Sequence, residues 1–345
     1  MKRFTVLGLA FLLFAPALFA ENALVMPARI GRAYVVPTFI NFDRQFDADG
    51  NLGDFPAPTT MFNLGFALEY GINPWITGAV QWTPGVNVWS NVDMREVAGG
   101  IEGRVSGMGD LFVGAKFQVL GPVAPITNST FRVAFAPGVK IPLGTPDFTG
   151  EVAELRPGGN PNAAPLDNHV FAFGLRSFFD WVISDAFYIN LFNEVIFHPV
   201  RGRFGDLGLT QAVQATSLAA ATGGAITTAD LDVNFRTQWT FQIEPHFVHR
   251  FESPMVAFEA GLPLTYFFTR GFTVEDVPAG IPMPALIPQD QGSVHRLSIG
   301  PNVSAFFMQW PVPMEFVLGY DIVLWGQNTP VRHVLSFQIR AYFRI

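Results

Sequence analysis

The chain has 345 residues and a formal net charge of −7; 49% of its residues are hydrophobic and 14% charged, well below the roughly 25% charge usual in soluble domains. It has no cysteine, which excludes a disulfide framework and thiolate metal sites, and its acidic balance speaks against a nucleic-acid partner.

The chain opens MKRFTVLGLAFLLFAPALFA: Lys2 and Arg3 precede an apolar stretch, and Ala20 stands at a cleavage position. This reads as a secretory signal peptide, residues 1–20, with no cysteine near the cut to accept a lipid anchor. Removal takes Lys2 and Arg3 away and moves the formal charge to −9. Residues 21–345 then form one domain without another long uncharged apolar run. Its apolar residues are instead spread in alternation, as in strands that face lipid on one side.

Period-two segments bounded by Gly, Pro, Asn and Asp follow. They run over 31–42, 58–70, 75–83, 108–120, 129–141, 168–182, 187–198, 232–247, 255–268, 294–308, 314–325 and 331–345. That is about twelve strands, with fourteen as the alternative. Their connections alternate in length. Those at 43–57, 84–107, 142–167, 199–231 and 269–293 are long; GINP (71–74), GPVAPITN (121–128), SDAF, HRFESP (249–254) and QWPVP are short. Short turns at one end and long loops at the other predict an all-β, transmembrane, antiparallel up-and-down barrel of the bacterial outer membrane; a soluble sandwich has no reason to sort its loops this way.

Facing assignments agree. In MFNLGFALEY, Phe62, Leu64, Phe66, Leu68 and Tyr70 share one face, with Asn63, Gly65, Ala67 and Glu69 on the other. In NFRTQWTFQIEPHF the set Phe235, Thr237, Trp239, Phe241 and Ile243 alternates with Arg236, Gln238, Thr240, Gln242 and Glu244. Trp75, Trp181 and Trp310 fall beside short turns and Trp325 near the opposite rim, where interfacial rings belong. The closing SFQIRAYFRI places Arg340 and Arg344 inside; it resembles the carboxy-terminal signal of bacterial outer-membrane barrels, with Ile345 where an aromatic residue is usual.

Polar parity predicts a lumen lined by Glu69, Asp110, Asp180, Glu194, Glu244, Glu259 and Asp321 against Lys116, Arg132, Lys140, Arg176, Arg236, Arg296, Arg332, Arg340 and Arg344. Twelve strands leave a narrow bore, and mixed charge in it favours a restricted pathway over a wide porin; an ion-pair network that only fixes the barrel is the alternative. In the outer loops, VEDVPAGIPMPALIPQ (274–289) offers Ile281, Met283, Leu286 and Ile287 as hydrophobic contacts at the mouth, or as an ordered cap. LTQAVQATSLAAAT (209–222) reads as a short helix capped by Thr210. FDADGN (46–51) lacks carboxylates at Gln45 and Pro56, where a calcium loop needs its first and last ligands, and reads as an Asp-Gly turn.

Two stretches carry a family resemblance. GMGDLFVGAKFQVL (107–120) and FRVAFAPGVKIPLGTPD (131–147) resemble strands of the phenol-degradation meta-pathway (MetA-type) outer-membrane transporter family at Gly107, Gly109, Asp110, Gly114, Lys116, Lys140, Pro142 and Gly144. The chain is also similar, more distantly, to FadL-type transporters, although ENALVMPARIG lacks their amino-terminal hatch motif. Both resemblances imply passive uptake of small, often hydrophobic, molecules. The implied partners are outer-membrane lipid, the barrel-assembly machinery and a small-molecule substrate, with no cofactor. Chemistry is not expected: His-x-Ser of the barrel phospholipases is absent, Ser293-Val294-His295 has the reverse order, and the histidines at 169, 198, 246, 249 and 333 show no metal-ligand spacing. A structural or adhesive barrel with a sealed lumen is the alternative function.

Overall fold

Alternation commits twelve segments to antiparallel pairing, and in the computed structural model they close on themselves. Residues 22–93, 102–103, 108–143, 170–204, 231–252, 255–270, 272–275 and 292–344 are described. The strands are β1 (Ile30–Phe46), β2 (Leu52–Asn73), β3 (Ile76–Asp93), β4 (Leu111–Gly121), β5 (Phe131–Ile141), β6 (Ala172–Ser184) and β7 (Phe187–Phe197). They continue as β8 (Gln238–Phe251), β9 (Val256–Gly261 and Leu264–Thr269), β10 (Val294–Ile299 and Asn302–Phe307), β11 (Met314–Gln327) and β12 (His333–Arg344). Each pairs with the next, and β12 returns to β1 with Arg340 opposite Tyr34, so the barrel has twelve staves and no open edge.

The pleat sorts the side chains. Phe66, Leu68, Phe241, Ile243, Phe258 and Leu318 are exposed on the outer wall, where lipid takes the place of water, while Asn63, Glu69, Glu244, Glu259 and Arg340 are buried inside. Trp181, Trp310 and Trp325 are exposed near strand ends, as interfacial rings.

Three expectations are corrected, the loops at 43–57 and 84–107 and the strand at 232–247, while the turn expected within 46–51 is present. The stretch 43–57 is not a long loop: β1 and β2 continue through it to a turn over 47–51, and β3 likewise runs on to Asp93. Above the lipid both faces of a hairpin meet water, so the hydrophobic alternation fades while the hydrogen-bond ladder persists. The predicted strand 232–247 is two elements. Asp232–Phe235 belongs to a separate three-stranded sheet with Gly202–Arg203 and Phe272–Glu275, and β8 starts only at Gln238. In the 47–51 turn, the Asp47 carboxylate accepts the backbone N–H groups of Asp49 (2.9 Å) and Asn51 (2.8 Å), an Asx turn. The signal segment 1–20, the helix expected at 209–222, Gly107, Gly144, His169 and the mouth residues Ile281, Met283, Leu286 and Ile287 lie outside the described residues.

The wall is uneven. From β1 to β3 it is tall and continuous in strand. From β8 to β10 a line of prolines crosses it: Pro245 lies within β8, Pro263 divides β9 and Pro301 divides β10. Their carbonyls accept from the N–H groups of Leu262 (3.2 Å), Gly300 (3.0 Å) and Tyr320 (3.0 Å). None can return the second bond of an antiparallel pair, because proline has no N–H.

Residues 22–29 precede β1 and enter the bore. Ala23, Leu24, Val25 and Met26 are all buried. Gly71 on β2 makes room for them, since a Cβ there would stand 2.1 Å from the carbonyl oxygen of Pro27 and 2.6 Å from that of Met26.

Candidate functional site

The site is the lumen, and inward parity on neighbouring staves builds it. At the closure seam, Arg32 on β1 donates to Glu69 on β2 at 2.6 Å, and Glu69 also accepts from the Tyr34 hydroxyl (3.1 Å) and the Gln81 amide (3.2 Å). On the other side of the seam the Tyr342 hydroxyl donates to Glu315 at 2.6 Å, and Arg340 lies 3.3 Å from the same oxygen while its Nε and Nη2 donate to Gln338. Arg176 on β6 pairs with Glu194 on β7 and reaches Gln81 on β3 at 2.7 Å, a bond that crosses the staves between them.

Towards the short-turn end, Asp180 is fully buried on β6. It accepts the Asn190 amide (2.7 Å) and the backbone N–H of Ala23 (3.1 Å), with Arg132 at 3.7 Å. Lys116 donates to the carbonyls of Asn22 (2.7 Å) and Leu24 (3.3 Å), and the Met26 N–H to Thr77 Oγ1 (2.7 Å). The leading segment is therefore held by side chains of β3, β4 and β6. Its Met26 packs with Ala257, Phe306 and Tyr342 from the opposite staves, so the segment floors the bore from wall to wall.

Two cavities lie against this frame. The first, about 60 Å³, sits between the leading segment and β1 to β6; it is lined by Phe112 and Phe178 beside Lys116, Arg176 and Arg32. Arg176 stacks over Phe112 at 4.2 Å and Lys116 over Phe178 at 4.1 Å, so this side is cationic and aromatic together. The second, about 240 Å³, lies against β8 to β12 and carries Glu244, Glu259, Glu315 and Asp321 with Arg340. Here Gly261 lets Glu244 on β8 reach across β9 to the Asn302 amide at 2.8 Å; a Cβ at that glycine would stand 2.5 Å from the Glu244 carboxylate. His246, fully buried, stacks on Tyr188 at 4.4 Å. Its ring nitrogens lie 2.7 Å from Glu259 and 3.3 Å from Glu244, off the line of hydrogen bonds.

The sequence-predicted lining residues fall as follows. Glu69, Lys116, Arg132, Arg176, Asp180, Glu194, Glu244, Glu259, Asp321 and Arg340 are drawn into these networks and cavities. Asp110 is buried before β4 with Lys140 at 3.8 Å, a pair near the outer end. Arg296 stacks over Phe267 at 4.8 Å. Arg236 is exposed in the joint ahead of β8 and so stands outside the ladder. Parity reading missed Arg32, Tyr34, Gln81, Tyr188, His246, Glu315 and Tyr342. Glu315 was legible, being six residues from Asp321 on the same face; the tyrosines resemble girdle residues in sequence. The leading segment gave only a weak signal, four apolar residues before Pro27 in a stretch too short to cross a membrane.

No family model and no curated protein matches the sequence. Among solved structures, the chain is similar to an outer membrane channel from Pseudomonas putida F1, with a TM-score of 0.60 at 11% identity over 94% of this chain and 100% of that one. It is also similar to the β domain of the Bordetella autotransporter BrkA (TM-score 0.45, 10% identity, 91% and 99% coverage) and to a Pseudomonas aeruginosa FadL homologue (0.40, 11%, 93% and 91%). At these identities the likeness is one of fold. A closed twelve-stranded barrel with an apolar outer wall is an outer-membrane protein of a bacterium.

Proposed function

We propose that the protein is a passive outer-membrane channel that takes up small hydrophobic or aromatic molecules, along the lines that its resemblance to the phenol-degradation meta-pathway and FadL-type transporters implies. The observation that carries the reading is how the floor is held. The wall is tied by strand ladders, whereas residues 22–26 are tied by a few hydrogen bonds to Asp180, Thr77 and Lys116. The blockage is thus held by side-chain contacts and burial and not by a strand ladder, so it can leave the bore without parting the wall, as a gate must. Beside it, the Phe112 and Phe178 rings, each with a cation over one face, line the small cavity, and movement of the segment would widen this aromatic and cationic wall for an aromatic solute. Outer-membrane lipid, the assembly machinery and a small-molecule substrate are the partners this role requires, and no catalytic step is part of it.

The same floor favours a second reading, a sealed structural barrel, if the segment never leaves. Single-channel recording of the refolded mature protein, beside a variant lacking residues 22–26, separates the two. The channel reading expects brief, small openings from the intact protein and steady conductance from the truncated one, reduced by an added aromatic solute. Silence from both, with heat-modifiable gel migration showing folded barrels, would sink it.

A further inference from the structure

The outer wall meets lipid, and at the loop end of β9 to β12 it carries polar groups that neither reading of the lumen uses. Lower on these strands the outward face is apolar, with Phe258, Val303 and Leu318 exposed. At the rim it changes character. His295 is the second residue of β10 and His333 the first of β12, both counted from the loop end. Each stands on the outward face. His295 lies opposite Phe268 and two positions from Leu297, which has Tyr266 on one side and Trp325 on the other; His333 is two positions from Leu335, which lies opposite Tyr320. Tyr266, Tyr320 and Trp325 are 38%, 39% and 42% exposed, so this rim is open to what surrounds the barrel.

The same pair is built there twice. The Tyr266 hydroxyl lies 2.7 Å from His295 Nδ1, and the Tyr320 hydroxyl lies 2.7 Å from His333 Nδ1. With each hydroxyl donating, the ring proton stands on Nε2, and that nitrogen has no hydrogen-bond partner among the described residues. Phe268 at 4.9 Å and Trp325 at 6.4 Å hold the His295 ring further. Arg270, two positions past Phe268 at the end of β9, is exposed and adds a permanent positive charge. No carboxylate of these strands opposes it: β9 to β12 carry Glu259, Glu315 and Asp321, and all three line the lumen. Oriented N–H donors are costly against hydrocarbon and are at home where headgroups begin.

We propose that the outward rim of β9 to β12 is a binding site for the headgroup of an outer-leaflet glycolipid that bears two phosphates. Phosphate oxygens accept from the two free Nε2 positions and from Arg270, and such charge-assisted bonds fix geometry as well as supplying attraction. The histidines are two strands apart, about 10 Å across the wall and further along it, so a headgroup with two phosphates reaches both where a single phosphate reaches one. A zwitterionic headgroup fits less well, because its own ammonium would meet Arg270. The source is a lipid and not a free anion, since Phe258, Val303 and Leu318 below the site give acyl chains their place. The proposal rests on the barrel's position in the membrane and holds whether or not the lumen conducts.

The test is native mass spectrometry of the refolded mature protein in non-ionic detergent with diphosphorylated lipid A added. One lipid should be retained, and its dephosphorylated form should bind about tenfold more weakly. His295→Leu combined with His333→Leu should weaken binding of the diphosphorylated form about tenfold, whereas His249→Leu, at an exposed histidine of the short-turn rim, should leave it unchanged. Tyr266→Phe combined with Tyr320→Phe removes only the hydroxyls that orient the imidazoles and should weaken binding as well. Heat-modifiable migration reports whether each variant is folded. Failure of the wild-type protein to retain the lipid would overturn the proposal, as would equal retention of the two lipid forms or binding that both double variants leave intact. Displacement of the lipid by millimolar inorganic phosphate would overturn it too, by making the rim a free-anion site.

Discussion

The sectors β1 to β3 and β8 to β10 are built from the same alternation and yet differ in what holds them. The first is tall and unbroken by division, and its inward Arg32, Tyr34, Glu69 and Gln81 form one hydrogen-bonded group. The second is crossed by Pro245, Pro263 and Pro301, and behind it lies the acidic cavity. Where the strands run undivided the lumen is narrowed to the smaller cavity, by side chains and by the leading segment. Where they are divided it keeps the larger one. Wall continuity and lumen filling thus go together in this barrel, and each can be perturbed separately.

The largest expected effect comes from the buried anchor of the filled side. Asp180→Ala removes the partner of Arg132, Asn190 and the Ala23 N–H at once, leaving a buried guanidinium uncompensated, and should cost about 3–5 kcal/mol. Urea unfolding in detergent, followed by tryptophan fluorescence, measures it; a loss below about 1 kcal/mol, the range of a surface pair, would show that Asp180 is not structural. Next is the outer wall of the tall sector. Leu68→Arg places a charge against lipid and should cost about 2–4 kcal/mol if that residue sits near the bilayer midplane. A neutral result would shift the membrane band away from Leu68. In the broken sector the sign reverses. Pro301→Val returns the N–H that pairs with Tyr320, whose own N–H already reaches the Pro301 carbonyl, and should add about 1 kcal/mol. A destabilised variant would mean that the break is required by the fold.

The smallest effect is at the tip of β1 and β2. Backbone hydrogen bonds, first from Asn51, hold the exposed Asp47 carboxyl below the ordinary carboxylate range. The turn is therefore most ordered with Asp47 ionised at neutral pH, and that contribution is lost as pH falls through the lowered titration. Asp47→Ala should leave barrel stability almost unchanged while speeding amide exchange at Asp49 and Asn51; unchanged exchange would show that the carboxylate does not order the turn.

The barrel was legible in the sequence because lipid on one side and polar lumen on the other impose a period of two, and all twelve staves were found from it. What failed were the places outside that rule. Above the membrane the alternation fades, so the hairpin tip over 43–57 looked like a loop. Arg236 kept the right parity, but its strand breaks before the barrel begins. Glu315 and His246 obey the inward rule and were passed over, although Asp321 and Glu244 stand close to them in sequence on the same face; the partners that fix them, Arg340 and Tyr342 for Glu315 and Glu259 for His246, arrive from β12 and β9. The leading segment carries no period at all; its burial depends on Gly71, Thr77, Lys116 and Asp180, residues 49 to 158 positions beyond Asn22 that only the closed fold brings near.

The most direct test of the claim that this segment gates the bore is a matched pair of methyl additions recorded in planar bilayers. In Gly71→Ala the new Cβ meets the Pro27 and Met26 backbone at 2.1 and 2.6 Å and must displace the segment, whereas in Gly78→Ala on the paired strand it meets only the Ile72 side chain at 3.5 Å. Gly71→Ala should conduct at a higher level than the wild-type protein, and Gly78→Ala should match wild type. A folded Gly71→Ala barrel as closed as the wild type would contradict the account.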